Sequence, residues 1–253
     1  MQDLPIVLYT DHYVNRALCH NFALGSKSLM CHVNNFSDFS KTIATYGVLR
    51  GTYDIIKKVK NFYYMDHGYF NQSRRQFDNK RTNVLDMNGY FRIVYNNFIH
   101  NGDGNYPNDR LKKLKLNFVE KRKSGDIIIL SEPSENMKKL YNVHDWVNET
   151  KEKIKKFSDR KIIVHNKFSQ KPLDELFENA WCFVSLQSTA GFKAMLSGVP
   201  AFFTETSLKN INKIEEIESP KINYNIFNNL AYGQWTLREI ESGEAWDFIS
   251  NIN

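Results

Sequence analysis

Cysteine, proline and long apolar runs are scarce in this 253-residue chain: it has three cysteines and six prolines. Cys19, Cys31 and Cys182 lack the paired spacing of a zinc site, and their odd number leaves one thiol unpaired. They read as reduced thiols of a cytoplasmic protein. No apolar stretch approaches the ~20 residues that cross a bilayer, so no membrane span or membrane partner is expected. Met1-Gln-Asp-Leu-Pro5 has neither a basic start nor an apolar core, so no secretory leader is expected. Walker, HExxH and GxSxG patterns are missing, which excludes P-loop nucleotidases, zincins and elbow-type hydrolases. Asp-x-Asp, an acidic pair able to hold a divalent cation, is missing too, and no metal site is expected.

Hydrophobic residues make up 42% of the chain and aromatic residues 14%, a composition that folds. The length admits one domain or two near-minimal lobes. A formal charge of +6 permits a nucleic-acid partner without demanding one. Cations cluster at Arg74, Arg75, Lys80 and Arg81, and again at Lys112, Lys113, Lys115, Lys121, Arg122 and Lys123. Solvated surface is the default reading of both clusters.

In chain order, Pro5–Thr10 reads as a buried strand with Asp11 and His12 at its carboxyl end, where open α/β sheets bind ligands. A helix is expected over Asn15–Leu24, closed by Gly25, then strands over Leu29–Asn34 and Ala44–Leu49. Gly47 and Gly51 would let backbone approach a ligand, with Arg50 beside it. Asn61–Phe70 is a strand carrying Asp66-His67-Gly68. Either Asp66 caps the next turn and His67 packs on Tyr69, or one of them is a general base. Asn88–Tyr95 alternates as a strand. Its Tyr90, Phe91, Arg92 and Tyr95 suit either nucleic-acid contact or a small core.

Further on, Ser124–Leu130 is a fully apolar strand, and Ser134 is placed to cap the helix that follows it. After a Lys-rich helix (Trp146–Phe157) come a strand ending in His165 and Lys167 and a helix over Pro172–Ala180. Next is Trp181–Thr204, WCFVSLQSTAGFKAMLSGVPAFFT. That stretch reads as strand, polar loop, helix, Gly198 stop, Pro200 and strand, the crossover of a doubly wound sheet. Ser185, Gln187, Ser188 and Thr189 form its loop, which suits an anion or equally an ordinary helix cap. In the tail, Thr236 and Glu239 make a capping box and Gly243 ends that helix; two helices are expected there.

The order of Lys161–Lys167, Pro172–Ala180 and SLQSTAGFKAMLSGVPAFF resembles the donor-binding half of GT-B glycosyltransferases. The likeness is to bacterial capsule-polysaccharide transferases and to phage DNA-modifying glycosyltransferases, and it covers roughly residues 120–250. Gln-Trp-Thr-Leu and Gly-x-Ala-Trp in the tail resemble the phage proteins as well. The family tends to carry Arg and Lys two apart at the strand end, where this chain has His165 and Lys167.

The resemblance implies two Rossmann-like α/β lobes, 1–120 on the acceptor side and 121–225 for the donor. Helices in 226–253 would bridge the cleft and bring Gln234 near it. It implies a nucleotide sugar such as a UDP-sugar as co-substrate, without a separate cofactor. Donor contacts are then expected from Ser131, Ser134, His165, Lys167, Ser185, Gln187, Ser188 and Thr189. Asp66, then Asp11, then His67 are the expected bases, and Arg50, Arg74, Arg75 and Arg92 the acceptor contacts. The expected acceptor is a hydroxymethylated base in duplex DNA, such as 5-hydroxymethylcytosine, acted on by a monomer in the cytoplasm, the host's for a phage chain. Alternatives are a capsule or surface-polysaccharide acceptor and a non-catalytic binding module.

Overall fold

The computed structural model describes residues 4–73, 75–77, 83–86, 88–205, 207–208 and 212–252, with backbone alone at 75–77 and 83–85. The chain forms two compact units, Met1–His100 with Leu230–Asn253, and Asn101–Asn229. Residues 101–120, placed with the first lobe on sequence grounds, belong to the second unit, and the C-terminal segment from Leu230 onward belongs to the first.

The first unit contains β1 (Ile6–Tyr9), α1 (Tyr13–Ser26), β2 (Met30–His32), β3 (Ile43–Tyr46), α2 (Thr52–Ile56) and β4 (Phe62–His67). A two-stranded ribbon of β5 (Arg75–Phe77) and β6 (Asn83–Leu85) follows, then β7 (Tyr90–Tyr95). The second unit contributes α3 (Asp109–Lys113), β8 (Ile127–Ser131), α4 (Glu135–Tyr141), α5 (Trp146–Lys155), β9 (Lys161–His165), α6 (Leu173–Phe177), β10 (Ala180–Ser185), α7 (Ala190–Leu196) and β11 (Ala201–Phe203). Then come α8 (Ile226–Tyr232), β12 (Gln234–Thr236), α9 (Leu237–Glu241) and α10 (Glu244–Asn251).

The second unit's sheet runs β11-β10-β8-β9, all parallel. Ile127–Leu130 and Ala180–Ser185 are buried at every position, as strands covered on both faces must be. In α5, Trp146, Thr150 and Ile154 recur every fourth residue and turn inward, leaving the lysines to solvent. Helix α7 lies close to β11: a Cβ on Gly191 would stand 2.5 Å from the Phe203 ring. Gly198, at φ 76°, ends α7 in the left-handed conformation that the sequence assigned to it.

The first unit's sheet runs β12-β7-β4-β3-β1-β2, with β7 antiparallel to both of its neighbours and the other pairs parallel. Its opening four strands repeat the second unit's order, the first strand lying between the second and the third. Each sheet therefore reverses direction once, between β1 and β3 and between β8 and β10, and such switch points open crevices at the carboxyl edge.

Several local expectations need correction. Helix α1 does not stop at Gly25 but runs to Ser26, with Lys27 left-handed at its end. Gly25 is there because an added Cβ would lie 1.9 Å from the Ile240 carbonyl oxygen of α9. The second strand is only Met30–His32, followed by a 3-10 turn, and the third ends at Tyr46. Gln234–Thr236 adds a strand to the sheet, where only helices were expected.

The Gly25 contact generates a stability prediction. Gly25→Ala must push α9 off α1, where Leu18 and Phe22 share a core with Leu237 and Ile240. The expected loss is about 1–3 kcal/mol, the usual cost of overpacking, read as a lower urea midpoint. An unchanged midpoint would mean that these helices do not approach so closely.

Candidate functional site

Strand register collects donor candidates that the sequence drew from separate segments. Ser185 pairs with Ser131, Ser131 with His165, and Ser185 with Phe203. Phe203, Ser185, Ser131 and His165 thus form one row along the carboxyl edge of the second sheet. Strands stand about 4.8 Å apart, so Ser185 to His165 spans about 10 Å.

Some of the row's polar groups are committed and others are not. The Ser185 hydroxyl accepts from the Ser188 amide at 3.2 Å, and the Ser188 hydroxyl accepts from the Ala190 amide at 3.2 Å. Ser134 caps α4 as expected, accepting from the Met137 amide at 3.4 Å. Gln187 accepts from the Tyr141 phenol at 2.8 Å and donates to Ser207 at 3.2 Å, so it braces a wall. His165 Nε2 lies 3.2 Å from the Lys171 carbonyl oxygen. The hydroxyls of Ser131 and Thr189 make no hydrogen bond among the described residues. Lys167 meets no carboxylate there, only the Phe168 ring at 4.8 Å.

Sequence reasoning missed Glu132. Its carboxylate accepts from Lys138 at 2.8 Å and from Asn166 at 3.0 Å, which together hold it below the usual carboxylate range. The folded value is the lowered one, so this pairing stabilises the fold at neutral pH and is lost as pH falls through that value. A carboxylate paired with an ammonium, and next in sequence to the free Ser131 hydroxyl, suits a ligand bearing both sugar hydroxyls and phosphate. Next to the row is a cavity of about 710 Å³, lined by Tyr141, Trp146, Leu186, Phe203 and Thr204 among others. Trp146 Nε1 donates to Thr204 at 2.7 Å, fixing the indole. Tyr141 and Trp146 were not singled out, because nothing local in sequence ties them to the loop after β10.

The corresponding crevice of the first unit is laced shut. Buried Asn15 accepts from the Thr10 amide at 2.7 Å and donates to the Tyr46 carbonyl at 3.1 Å, joining the ends of β1 and β3. Beyond it, Asp66 and Arg92 face each other in the β4–β7 register and form a 2.8 Å ion pair. Asp66 also accepts from the Tyr64 phenol at 2.8 Å and from the His67 amide at 2.7 Å. Arg92, 9% exposed, donates further to the carbonyls of His67 at 2.7 Å and Phe98 at 3.2 Å. This pair accounts for both residues as supports of the sheet.

His67 stacks on its cross-strand partner Phe91, and its Nε2 is 3.1 Å from the Tyr46 phenol. Burial, then the charge of Asp66, raises the Tyr46 phenol well above its ordinary range, so it stays protonated. His67 Nδ1 is buried without a hydrogen-bond partner among the described residues. Asp11, whose side chain is 93% exposed, lies two residues past the end of β1 with His32 Nε2 at 3.7 Å. Arg50 is exposed at φ 59° between Gly47 and Gly51, and its charge acts on Tyr46. Arg74 lies outside the described residues, and Arg75 is described only as β5 backbone. Gln234 is fully buried and accepts from the amides of Tyr69 and Phe70 at 2.7 and 2.9 Å, which fixes the turn after β4.

All three cysteines are free thiols. Burial pushes Cys19 up to about 12 and raises Cys182 too, so neither forms a thiolate nucleophile near neutral pH. Among the described residues, no three His, Cys, Asp or Glu side chains converge as a metal site requires.

No protein-family model and no curated protein matches the chain. Two solved structures with some likeness come from Thermosulfurimonas dismutans. KpsC, beta Kdo 2,4 transferase, has a TM-score of 0.48 at 9% identity, over 93% of each chain. KpsC, beta Kdo 2,7 transferase, has 0.43 at 9% identity, over 96% of this chain and 99% of that one. Scores and identities this low transfer neither an activity nor a residue role.

The Asp66–Arg92 geometry makes its own prediction. Breaking a fully buried pair costs about 3–5 kcal/mol. Asp66 keeps 27% exposure, so Asp66→Asn is expected to cost less, about 2–3 kcal/mol in chemical denaturation. A silent substitution would reduce the pair to an ordinary surface contact.

Proposed function

We propose that this chain is a nucleotide-sugar-dependent glycosyltransferase whose second unit holds the donor. The observation that carries this reading is the Phe203–Ser185–Ser131–His165 row at a topological switch point, built from the segments that resemble GT-B donor sites. The donor, such as a UDP-sugar, sets its diphosphate against Ser131, Thr189 and Lys167. Its nucleoside occupies the cavity walled by Tyr141 and Phe203. Fixed donors at the leaving diphosphate stabilise the charge that develops there, and the reading calls on no metal or separate cofactor.

Transfer with inversion also needs a base at the acceptor hydroxyl. Both Asp66 oxygens are already engaged, which favours exposed Asp11 for that role, with Asp66 and His67 positioning the edge. The acceptor we propose is a hydroxymethylated base of duplex DNA, flipped from its stack to bring the hydroxyl within reach. Exposed Arg50 and the exposed lysines 112, 113 and 115 suit a phosphate backbone.

The test is incubation with a panel of nucleotide sugars and either hydroxymethylated DNA or capsule-type oligosaccharides, followed by product mass analysis. The expected product is modified nucleoside carrying one glycosyl unit. Asp11→Asn is expected to slow turnover by ~10²–10⁴ with folding and donor affinity unchanged. Full activity in Asp11→Asn would return the base to Asp66 or His67. Transfer to oligosaccharide alone would replace the DNA acceptor, and donor binding without transfer to either would leave a binding module.

A further inference from the structure

A second cavity, of about 530 Å³, lies within the first unit, lined by Tyr9, Tyr13, Arg16, Ala17, His20 and Met30. Its construction follows from helical spacing. Tyr13, Arg16, Ala17 and His20 recur at three- and four-residue intervals, so they share one face of α1. Tyr9 and Met30 come from adjacent parallel strands, β1 and β2. Tyr9, Ala17 and Met30 pack on the buried core below, while Tyr13 remains 42% exposed. The Tyr9 ring is braced edge-on by His32 at 5.2 Å.

Its chemistry is one-sided. Among the described residues, no carboxylate lines the cavity, and neither the Arg16 guanidinium nor the His20 ring has a hydrogen-bond or ion-pair partner. Arg92, in the same unit, has three acceptors. Two phenol rings and a thioether offer flat, polarisable surface, and the uncompensated cation beside them favours an anion. A ligand with an aromatic face and a phosphate satisfies both.

We propose that this cavity is a nucleotide site, with the base against Tyr9 and Tyr13 and its phosphate on Arg16. It is separate from the donor row, which belongs to the other unit, and it does not depend on the transferase reading. Where that reading holds, the bound nucleotide is the acceptor, because Asp11 lies in sequence between the two tyrosines.

Free nucleotide and polynucleotide share this chemistry, and the test distinguishes them. Full-length protein is titrated by calorimetry with 2′-deoxycytidine 5′-monophosphate, the corresponding nucleoside, inorganic phosphate and a short single-stranded oligodeoxycytidylate. The monophosphate is expected to saturate one site and to bind more tightly than nucleoside or phosphate. Tyr13→Ala and Arg16→Ala, both at exposed positions, are each expected to weaken it by about tenfold. A tighter oligonucleotide with the same dependence assigns the site to polynucleotide; equal affinities assign it to free nucleotide. Failure of both ligands to bind, or binding unmoved in both variants, overturns the proposal. The same variants are run in the glycosyl-transfer assay. Absence of transfer alongside Tyr13- and Arg16-dependent binding would sink the transferase reading and leave this site standing.

Discussion

Burial of β8 and β10 on both faces is the constraint from which the second unit's organisation follows. A strand with no solvent face has no room for polar side chains until it ends, so its first hydroxyl appears at the carboxyl edge. Parallel pairing in register then brings both terminal serines to the same height, and β9 and β11 extend that row. Hydroxyls at a switch point are therefore a consequence of packing, which explains why residues 54 positions apart in sequence (185 minus 131) become neighbours.

The first unit begins with the same strand order and uses its crevice differently. Asn15 takes up the polar groups at the ends of β1 and β3, so its chemistry is displaced to the flanks. On one flank Arg92 and Asp66 neutralise each other inside the sheet and fix Tyr64, His67 and the Phe98 carbonyl around them. On the other, Asp11 projects into solvent from the short connection between β1 and α1. The two edges thus differ in charge economy, one closed on itself and one with an unneutralised cation in Arg16.

Local signals carried much of the fold. The Trp181–Thr204 segment spelled out strand, helix, glycine stop and strand. The Ser134 cap and the Thr236–Glu239 box, whose reciprocal bonds measure 3.2 and 2.7 Å, were written in neighbouring residues. What escaped was long-range. Gly25 read as a helix stop because its reason for being glycine is a carbonyl 215 positions away (240 minus 25). Gln234–Thr236 is three residues long and is a strand only because β7 offers it an edge. Asp66 and Arg92 each suited a functional role alone, and their mutual bond shows only in register. Asn15, Glu132 with Lys138, and Tyr141 act through partners that no spacing rule connects to them.

The central claim is that the carboxyl edge of the second sheet receives a nucleotide sugar. A crystal structure of the protein soaked with the donor that gives the largest thermal shift tests it most directly. The account predicts diphosphate oxygens within hydrogen-bonding distance of Ser131 and Thr189, with the nucleoside in the cavity beside Tyr141. A nucleotide seated at the opposite edge of that sheet, beside Arg160 and Glu218, with the Ser131–Ser185 row empty, would contradict it.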